Sequence, residues 1–459
     1  MKRFLLLFAF AVSLSAMAGD SCSFTPYYKY RVSLADKKMS AYKTSRPEEF
    51  LSEKAIQRRK RQGIRIDETD LPVSETYLKS ISESGVKILC TSKWNNTVLV
   101  QCTDTLKMNA VSSLPFVEGV RRVAVYTSPA VVDTTDRRSL IVNDTVVSEY
   151  NYGSAQRQIE QINGLALHER GFRGEGMTIA IIDGGFYNAD VIPMLDNVRI
   201  LGTHDFVNPN SDIYAENSHG MMVLSCIGTN KPGKMVGTAP GASFWLLRSE
   251  DGDTEQMVEE DYWAAAMEFA DSVGADVVNS SLGYTKFDNS ADNIEYREQD
   301  GITRLISRTA SMVASKGMIL CNSAGNEGMD AWKRIGCPAD ARDILTVGAV
   351  DRKGVNALFS SLGYSADGRV KPDVATMGVM STVLDITGRI GRANGTSFSS
   401  PILTGMVACL WQAFPDLDAY EIMDLVRRSG DRADYPDNVF GYGIPDFGRA
   451  YRLGVTEAE

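Results

Sequence analysis

The chain has 459 residues and a formal net charge of −10, from 48 basic and 58 acidic side chains. That length is too great for one compact domain, and the negative balance argues against general nucleic-acid binding, because a polyanion is repelled. Only three histidines are present, so chemistry that needs an imidazole has few places to occur.

Met1-Lys2-Arg3 precede an apolar run from Phe4 to Val12, and the next residues end in Ala16-Met17-Ala18, a small-x-small pattern. This reads as a secretory signal peptide over residues 1–18, with an apolar core too short to span a membrane. Gly19-Asp20-Ser21 before Cys22 is a poor lipobox, so a lipid-modified cysteine is not expected. No later run reaches 18 apolar residues, so no transmembrane segment is expected and the protein should be exported: secreted, periplasmic or in the cell envelope. Within 26–128, strands are expected at 30–34, 86–91, 97–102 and 117–126, and helices at 47–62 and 106–114. Lys93-Trp94-Asn95-Asn96 marks a hairpin between the middle strands. The β-α-β-β-α-β order is a small open α+β sandwich. Arg58-Arg59-Lys60-Arg61 reads as the wet face of its first helix rather than a nucleic-acid patch or a processing site. Residues 129–150, with Pro129, Asp133, Asp136, Asn143 and Asp144, read as a polar linker.

Beyond the linker, strands are expected at 177–183, 197–201, 242–248, 275–281, 317–322 and 344–350. Helices are expected near 218–228, 257–273, 302–316, 399–413 and 418–429. The alternation predicts an α/β unit with a doubly wound parallel sheet. Of the seven cysteines, Cys90 with Cys102 and Cys321 with Cys337 are placed to pair. Cys226 and Cys409 lie on apolar segments and read as small buried hydrophobes. A core of this size does not need disulfides.

Four segments carry chemistry. The apolar strand 177–182 ends in Asp183-Gly184-Gly185, at the carboxyl edge where open α/β sheets bind ligands. Asn217-Ser218-His219-Gly220 leads into an apolar helix, which makes His219 a better base than His168 or His204. Asn326, in Ser323-Ala324-Gly325-Asn326, offers an amide donor after another strand. Ser397, in Asn394-Gly395-Thr396-Ser397, stands at the mouth of a buried helix, with Pro401 expected in the first turn. A serine hydroxyl needs an adjacent base, the base needs an orienting carboxylate, and the oxyanion needs donors.

The order Asp183, His219, Asn326, Ser397, each in its local context, resembles the subtilisin-like serine proteases (subtilases, peptidase S8). Gly237 to Ala242, Asp276 to Gly283, Gly336-Cys337-Pro338, Leu345 to Val350, Lys371 to Ala375 and Gly441 to Pro445 also match that family, over roughly 145–455. The order excludes chymotrypsin-like and α/β-hydrolase arrangements. The resemblance implies a secreted serine endopeptidase, made as a self-processing zymogen. Ser397 would be its nucleophile, His219 the base, Asp183 the orienting acid, and Asn326 with the Ser397 N–H the oxyanion hole. It implies a propeptide with linker over 19–140 that assists folding, inhibits intramolecularly and is cut away. A subtilisin-like catalytic domain would then occupy 141–459. Ser281, Leu282, Gly283, Ser323, Ala324 and Gly325 would wall the primary pocket and Gly336 would floor it, leaving room for large side chains, with Glu327 at the rim favouring a basic or polar tip. No cofactor is required for the chemistry. The resemblance allows structural calcium but does not place its ligands. Partners are protein or peptide substrates, and a monomer is expected. The chain departs from the family at Gly184, where a hydroxyl residue is usual, and at Met221 and Met222, in place of threonine and histidine. The two methionines are the only hint of a second reading, a peptide-binding pseudoenzyme. The acidic stretch Glu250, Asp251, Asp253, Glu255, Glu259, Glu260 and Asp261 has two readings: a selector of basic residues away from the scissile bond, or a solvated loop and helix start.

Overall fold

The computed structural model describes residues 24–128, 137–142 and 151–458; the expected signal peptide, Cys22 and most of the linker lie outside the described residues. The C-terminal unit is built on a seven-stranded sheet. Its spatial order is Val374–Met377, Leu345–Val350, Ile319–Ser323, Val277–Ser280, Thr178–Asp183, Ser243–Arg248 and Arg199–Asp205. Every neighbouring pair is parallel. Each residue of Thr178–Asp183 and Val277–Ser280 is buried, as strands covered on both faces must be. One face carries Thr396–Ala413, His219–Gly228, Ala419–Arg428 and Phe447–Ala458 over a core that includes Ile179, Ile181, Leu403 and Trp411. The other carries Val258–Ser272 and Leu305–Met312 over Ile182, Val278, Trp263 and Ile306. The doubly wound expectation holds. The seventh strand, Val374–Met377, is too short to announce itself in sequence, and Arg199–Asp205 is a half-exposed edge strand that runs past the apolar stretch that suggested it.

Two helix expectations are corrected. Thr396–Ala413 begins before the expected start, so Pro401 lies in its second turn and not its first. The segment 47–62 is broken: a short 3-10 turn, Pro47–Glu49, is followed by Glu53–Arg61, whose start is capped by Ser52.

The N-terminal unit is an antiparallel sheet of four strands in the order Lys87–Ser92, Thr97–Cys102, Tyr27–Leu34, Val117–Tyr126. It adds a helix, Glu75–Glu83, to the expected order. The basic quartet is not a wet face. Arg58 and Arg59 are each 1% exposed. Arg58 pairs with Asp271 and donates to the Ala275 carbonyl, while Arg59 donates to Asp70 (3.0 and 3.1 Å) and to Asp271 (2.9 Å). Lys60 and Arg61 alone of the four face solvent. The unit therefore docks by charge on Val258–Ser272.

The six described cysteines are free. Cys90 faces Leu99 while Cys102 faces Tyr28, so they are out of register. Cys321 and Cys337 belong to cores on opposite faces of the main sheet.

Candidate active site

Asp183 ends the strand Thr178–Asp183, beside the central one, and is fully buried. Its Oδ1 accepts from the Gly184 N–H at 2.8 Å. His219 opens the helix His219–Gly228, its N–H held by Asn217 Oδ1 at 2.8 Å. His219 Nδ1 lies 2.9 and 3.1 Å from the two Asp183 oxygens. The helix approaches this closely only because residue 220 is glycine: a Cβ there would stand 2.4 Å from the Gly185 carbonyl oxygen and 2.9 Å from the Asp183 Cβ. Met221 points into the core and Met222 is half-buried beside it.

Ser397 is the second residue of its helix and 9% exposed. The Phe398 ring sits 5.8 Å from the His219 ring, which brings the start of that helix beside the imidazole. Pro401 has no N–H for the Ser397 carbonyl, and the Ser281 hydroxyl donates to it instead at 2.9 Å. The Ser397 hydroxyl makes a long contact, 3.4 Å, with the Ser281 carbonyl. Asn326 Oδ1 accepts from the Thr396 N–H (2.9 Å) and hydroxyl (3.1 Å). That fixes the amide with its NH₂ end as the remaining donor.

The expected pocket walls also come together. Asn322 Nδ2 donates to the Leu282 carbonyl at 3.2 Å, tying Ser281-Leu282-Gly283 to Ser323-Ala324-Gly325. Tyr284 and Cys337 form a two-bond antiparallel bridge (2.8 and 3.0 Å) that seats Gly336, where a Cβ would lie 3.1 Å from the Tyr284 carbonyl oxygen. Glu327 is engaged by the Ser361 hydroxyl at 2.7 Å.

The remaining histidines are elsewhere. His168 is buried between the Tyr152 hydroxyl (2.8 Å) and the Thr238 carbonyl (2.9 Å), and burial pushes it down to about 4. His204 stacks near Phe206 and Phe269. For His219, desolvation favours the neutral ring, but the Asp183 charge and hydrogen bond outweigh it, Glu250 adds to them, and the net shift is upward.

The acidic stretch is solvated only in its loop, where Asp253 is exposed and Glu250, Asp251 and Glu255 are half-buried; the helix start is not. Glu259, Glu260 and Asp261 are buried; Arg304 pairs with Glu260 and Arg31 with Asp261 (2.7 and 2.6 Å). Asn279 was not singled out by sequence. It donates to the Ser281 hydroxyl (3.0 Å) and accepts from Ser400 (2.9 Å) and Thr404 (3.0 Å), bolting the central strand to the Ser397 helix. An amide inside a fully buried strand was the available signal.

The Subtilase family profile matches residues 174–443, and a profile described as the peptidase S8 propeptide domain of Bacteroidota matches 29–137. Serine protease AprX of Bacillus subtilis strain 168 is 28% identical over 300 residues, 59% of this chain and 65% of AprX, so the chain spans less than two thirds of that relative. Subtilisin NAT of Bacillus subtilis subsp. natto is 28% identical over 307 residues, 66% of this chain and 72% of that protein. Among solved structures, MycP1 with its N-terminal propeptide removed gives a TM-score of 0.51 at 23% identity, covering 64% of this chain and 96% of that one. MycP3 protease from the type VII (ESX-3) secretion system gives 0.52 at 21% identity, covering 67% and 90%. Those two likenesses speak to fold alone. Because one profile spans more than half of the 459 residues and a second matches the N-terminal unit, the chain belongs to the subtilase family of serine proteases and carries a peptidase S8 propeptide domain.

Proposed function

We propose that this subtilase is an exported serine endopeptidase made as a self-processing zymogen. The observation that carries the reading is the short Asp183–His219 contact beside the start of the Ser397 helix. Ser397 attacks the scissile carbonyl and His219 takes its proton. Asp183 holds the ring tautomer and stabilises the imidazolium. The Asn326 amide and the Ser397 N–H receive the oxyanion, and His219 then returns the proton to the leaving amine. A water molecule, deprotonated by His219, then attacks the acyl-Ser397 ester, the acid product leaves and the proton returns to Ser397, so every catalytic group belongs to this chain and water is the second reactant. Protein or peptide substrates would be taken with the side chain before the scissile bond between Ser281-Leu282-Gly283 and Ser323-Ala324-Gly325, above Gly336, and the mature enzyme would act as a monomer.

The zymogen reading rests on how the N-terminal unit leaves the cleft. Its last strand, Val117–Tyr126, ends with the Val125 N–H on Gln256 Oε1 (2.8 Å) and the Tyr126 hydroxyl on Asp251 (2.9 Å). Arg137, in the linker, pairs with Asp190 and Asp212, both at 3.0 Å. Self-cleavage would fall within the polar linker, residues 129–150. To test this, the precursor and its Ser397→Ala variant are expressed in a secreting host and followed by intact mass and peptide hydrolysis. The parent should shed its N-terminal unit at a point within 129–150 and cut peptides, and the variant should do neither. If both remain full length and inert, the protein is a peptide binder on a protease fold.

A further inference from the structure

We infer that Gln256 is a substrate-positioning residue: its side-chain amide clamps the main chain of an extended peptide some residues ahead of the scissile bond. Its Oε1 accepts from the Val125 N–H at 2.8 Å, and its Nε2 donates to the Val125 carbonyl at 3.2 Å. Both polar groups of one residue are thus met by the two ends of one amide. A residue in a neighbouring antiparallel strand would make the same exchange.

The strand Val117–Tyr126 is an edge of the N-terminal sheet and pairs with Tyr27–Leu34 on its inner side. An edge strand presents a row of N–H and C=O groups on its open side, and Gln256 meets that side at Val125. Gln256 itself is held by the C-terminal unit. Its carbonyl accepts from the Glu259 N–H at 3.1 Å, in the first turn of Val258–Ser272. The next residue, Met257, is buried in a cluster with Val258 and Tyr262. Those anchors stay when the N-terminal unit departs. The loop that carries Gln256 follows Ser243–Arg248, which runs parallel beside Thr178–Asp183. It therefore leaves the sheet from the same carboxyl edge as Asp183.

Val125 lies upstream of the linker in which the peptidase reading puts the self-cleaved bond, and the inference rests on that reading. In that first turnover Val117–Tyr126 is part of the substrate, so the chain held by Gln256 is a substrate chain. The contact uses main-chain atoms alone. Any residue but proline presents them, so a later substrate can offer the same pair. The ion pairs from Arg58, Arg59 and Lys93 to Asp271, by contrast, need the N-terminal unit's own side chains. The clamp thus favours length in the substrate and excludes proline at one position, with no demand on the side chain there.

The test uses mature enzyme freed of its N-terminal unit. The substrates are synthetic peptides of residues 127–150, of residues 121–150, and of 121–150 N-methylated at Val125, which removes the N–H. Cleavage is followed by mass spectrometry, and kcat/KM is measured for each. Peptide 121–150 should be cut about tenfold or more faster than 127–150, the size expected of two hydrogen bonds. N-methylation should erase most of that advantage, and Gln256→Ala should bring the ratio of the two unmodified peptides toward one. Equal cleavage of long and short peptides by the parent, or an advantage left intact by N-methylation or by Gln256→Ala, would overturn the clamp and leave the peptidase reading standing. An enzyme that cuts none of the peptides would overturn both. If Gln256→Ala does not mature, the N-methylated peptide decides the matter.

Discussion

Pro401 follows Ser397 by one turn and can give its carbonyl nothing; the Ser281 hydroxyl takes over at 2.9 Å. Ser281→Ala should leave that buried acceptor unmet and lower unfolding free energy by about 1–3 kcal/mol, read from urea titration in the Ser397→Ala background. Asn326 carries a different duty, because its oxygen is already committed to Thr396. Asn326→Ala should lower kcat about 10²–10³-fold, with KM little changed, a magnitude taken from a related protease and not from this chain. The upward shift of His219 sets the pH response. A general base works as the neutral ring, so kcat/KM should rise with pH through an acid limb whose midpoint lies above the usual 6.5. A midpoint below 6.5 would contradict the Asp183 pairing. The linked stability has the opposite sense: with the folded pKa raised, His219 stabilises the fold below the unfolded value and loses that contribution as pH rises through the folded one. The four central residues were legible in sequence because each stands at a strand end, in a loop or in the first turn of a helix, with its own local signature. The Ser281 bond to Ser397 and the Glu250 charge on His219 were not, since they join segments that only the fold brings together.

Between elements, glycine decides how closely the His219 helix meets the Asp183 strand. The Cβ of Gly220→Ala would stand 2.4 Å from a backbone oxygen, which cannot rotate away as a side chain would. The helix would retreat, and kcat/KM should fall roughly 10²-fold or more while circular dichroism stays native, because about 1 Å of misplacement is enough for such a loss. Buried parallel strands were readable as short apolar runs flanked by glycine and aspartate. The start of the Ser397 helix was misplaced for a specific reason. Proline was read as a first-turn marker, whereas a side-chain donor from the residue just past a neighbouring strand lets it sit a turn later. The first helix of the N-terminal unit shows the same limit. Four consecutive basic residues look solvated by composition, and only the opposing carboxylates reveal that two of them are buried.

Across the whole molecule, the two units are held by charges that neither half could bury alone. Asp271 receives Arg58, Arg59 and Lys93, and its carboxyl is held well below the usual range by those three cations against the opposing cost of burial. Asp271→Ala would strand the cations, and breaking a buried pair costs about 3–5 kcal/mol, so release of the cleaved propeptide should quicken about 10²–10³-fold or more. Glu268 behaves differently. It accepts from the Ser92 hydroxyl (2.5 Å) and the N–H groups of Lys93 (2.6 Å) and Trp94 (3.0 Å), yet burial prevails and its pKa is pushed up to about 7. Separation of the units would return it to water and lower that value, so docking takes up a proton. The docked state is therefore favoured in acid, and its advantage is lost as pH rises from about 4.5 through about 7. After self-cleavage, peptidase activity should appear faster at pH 8 than at pH 5.5 once the rates are corrected for the His219 limb measured on mature enzyme. Glu268→Gln, which cannot titrate, should flatten that difference, and an unchanged pH dependence in this variant would assign the response to another group.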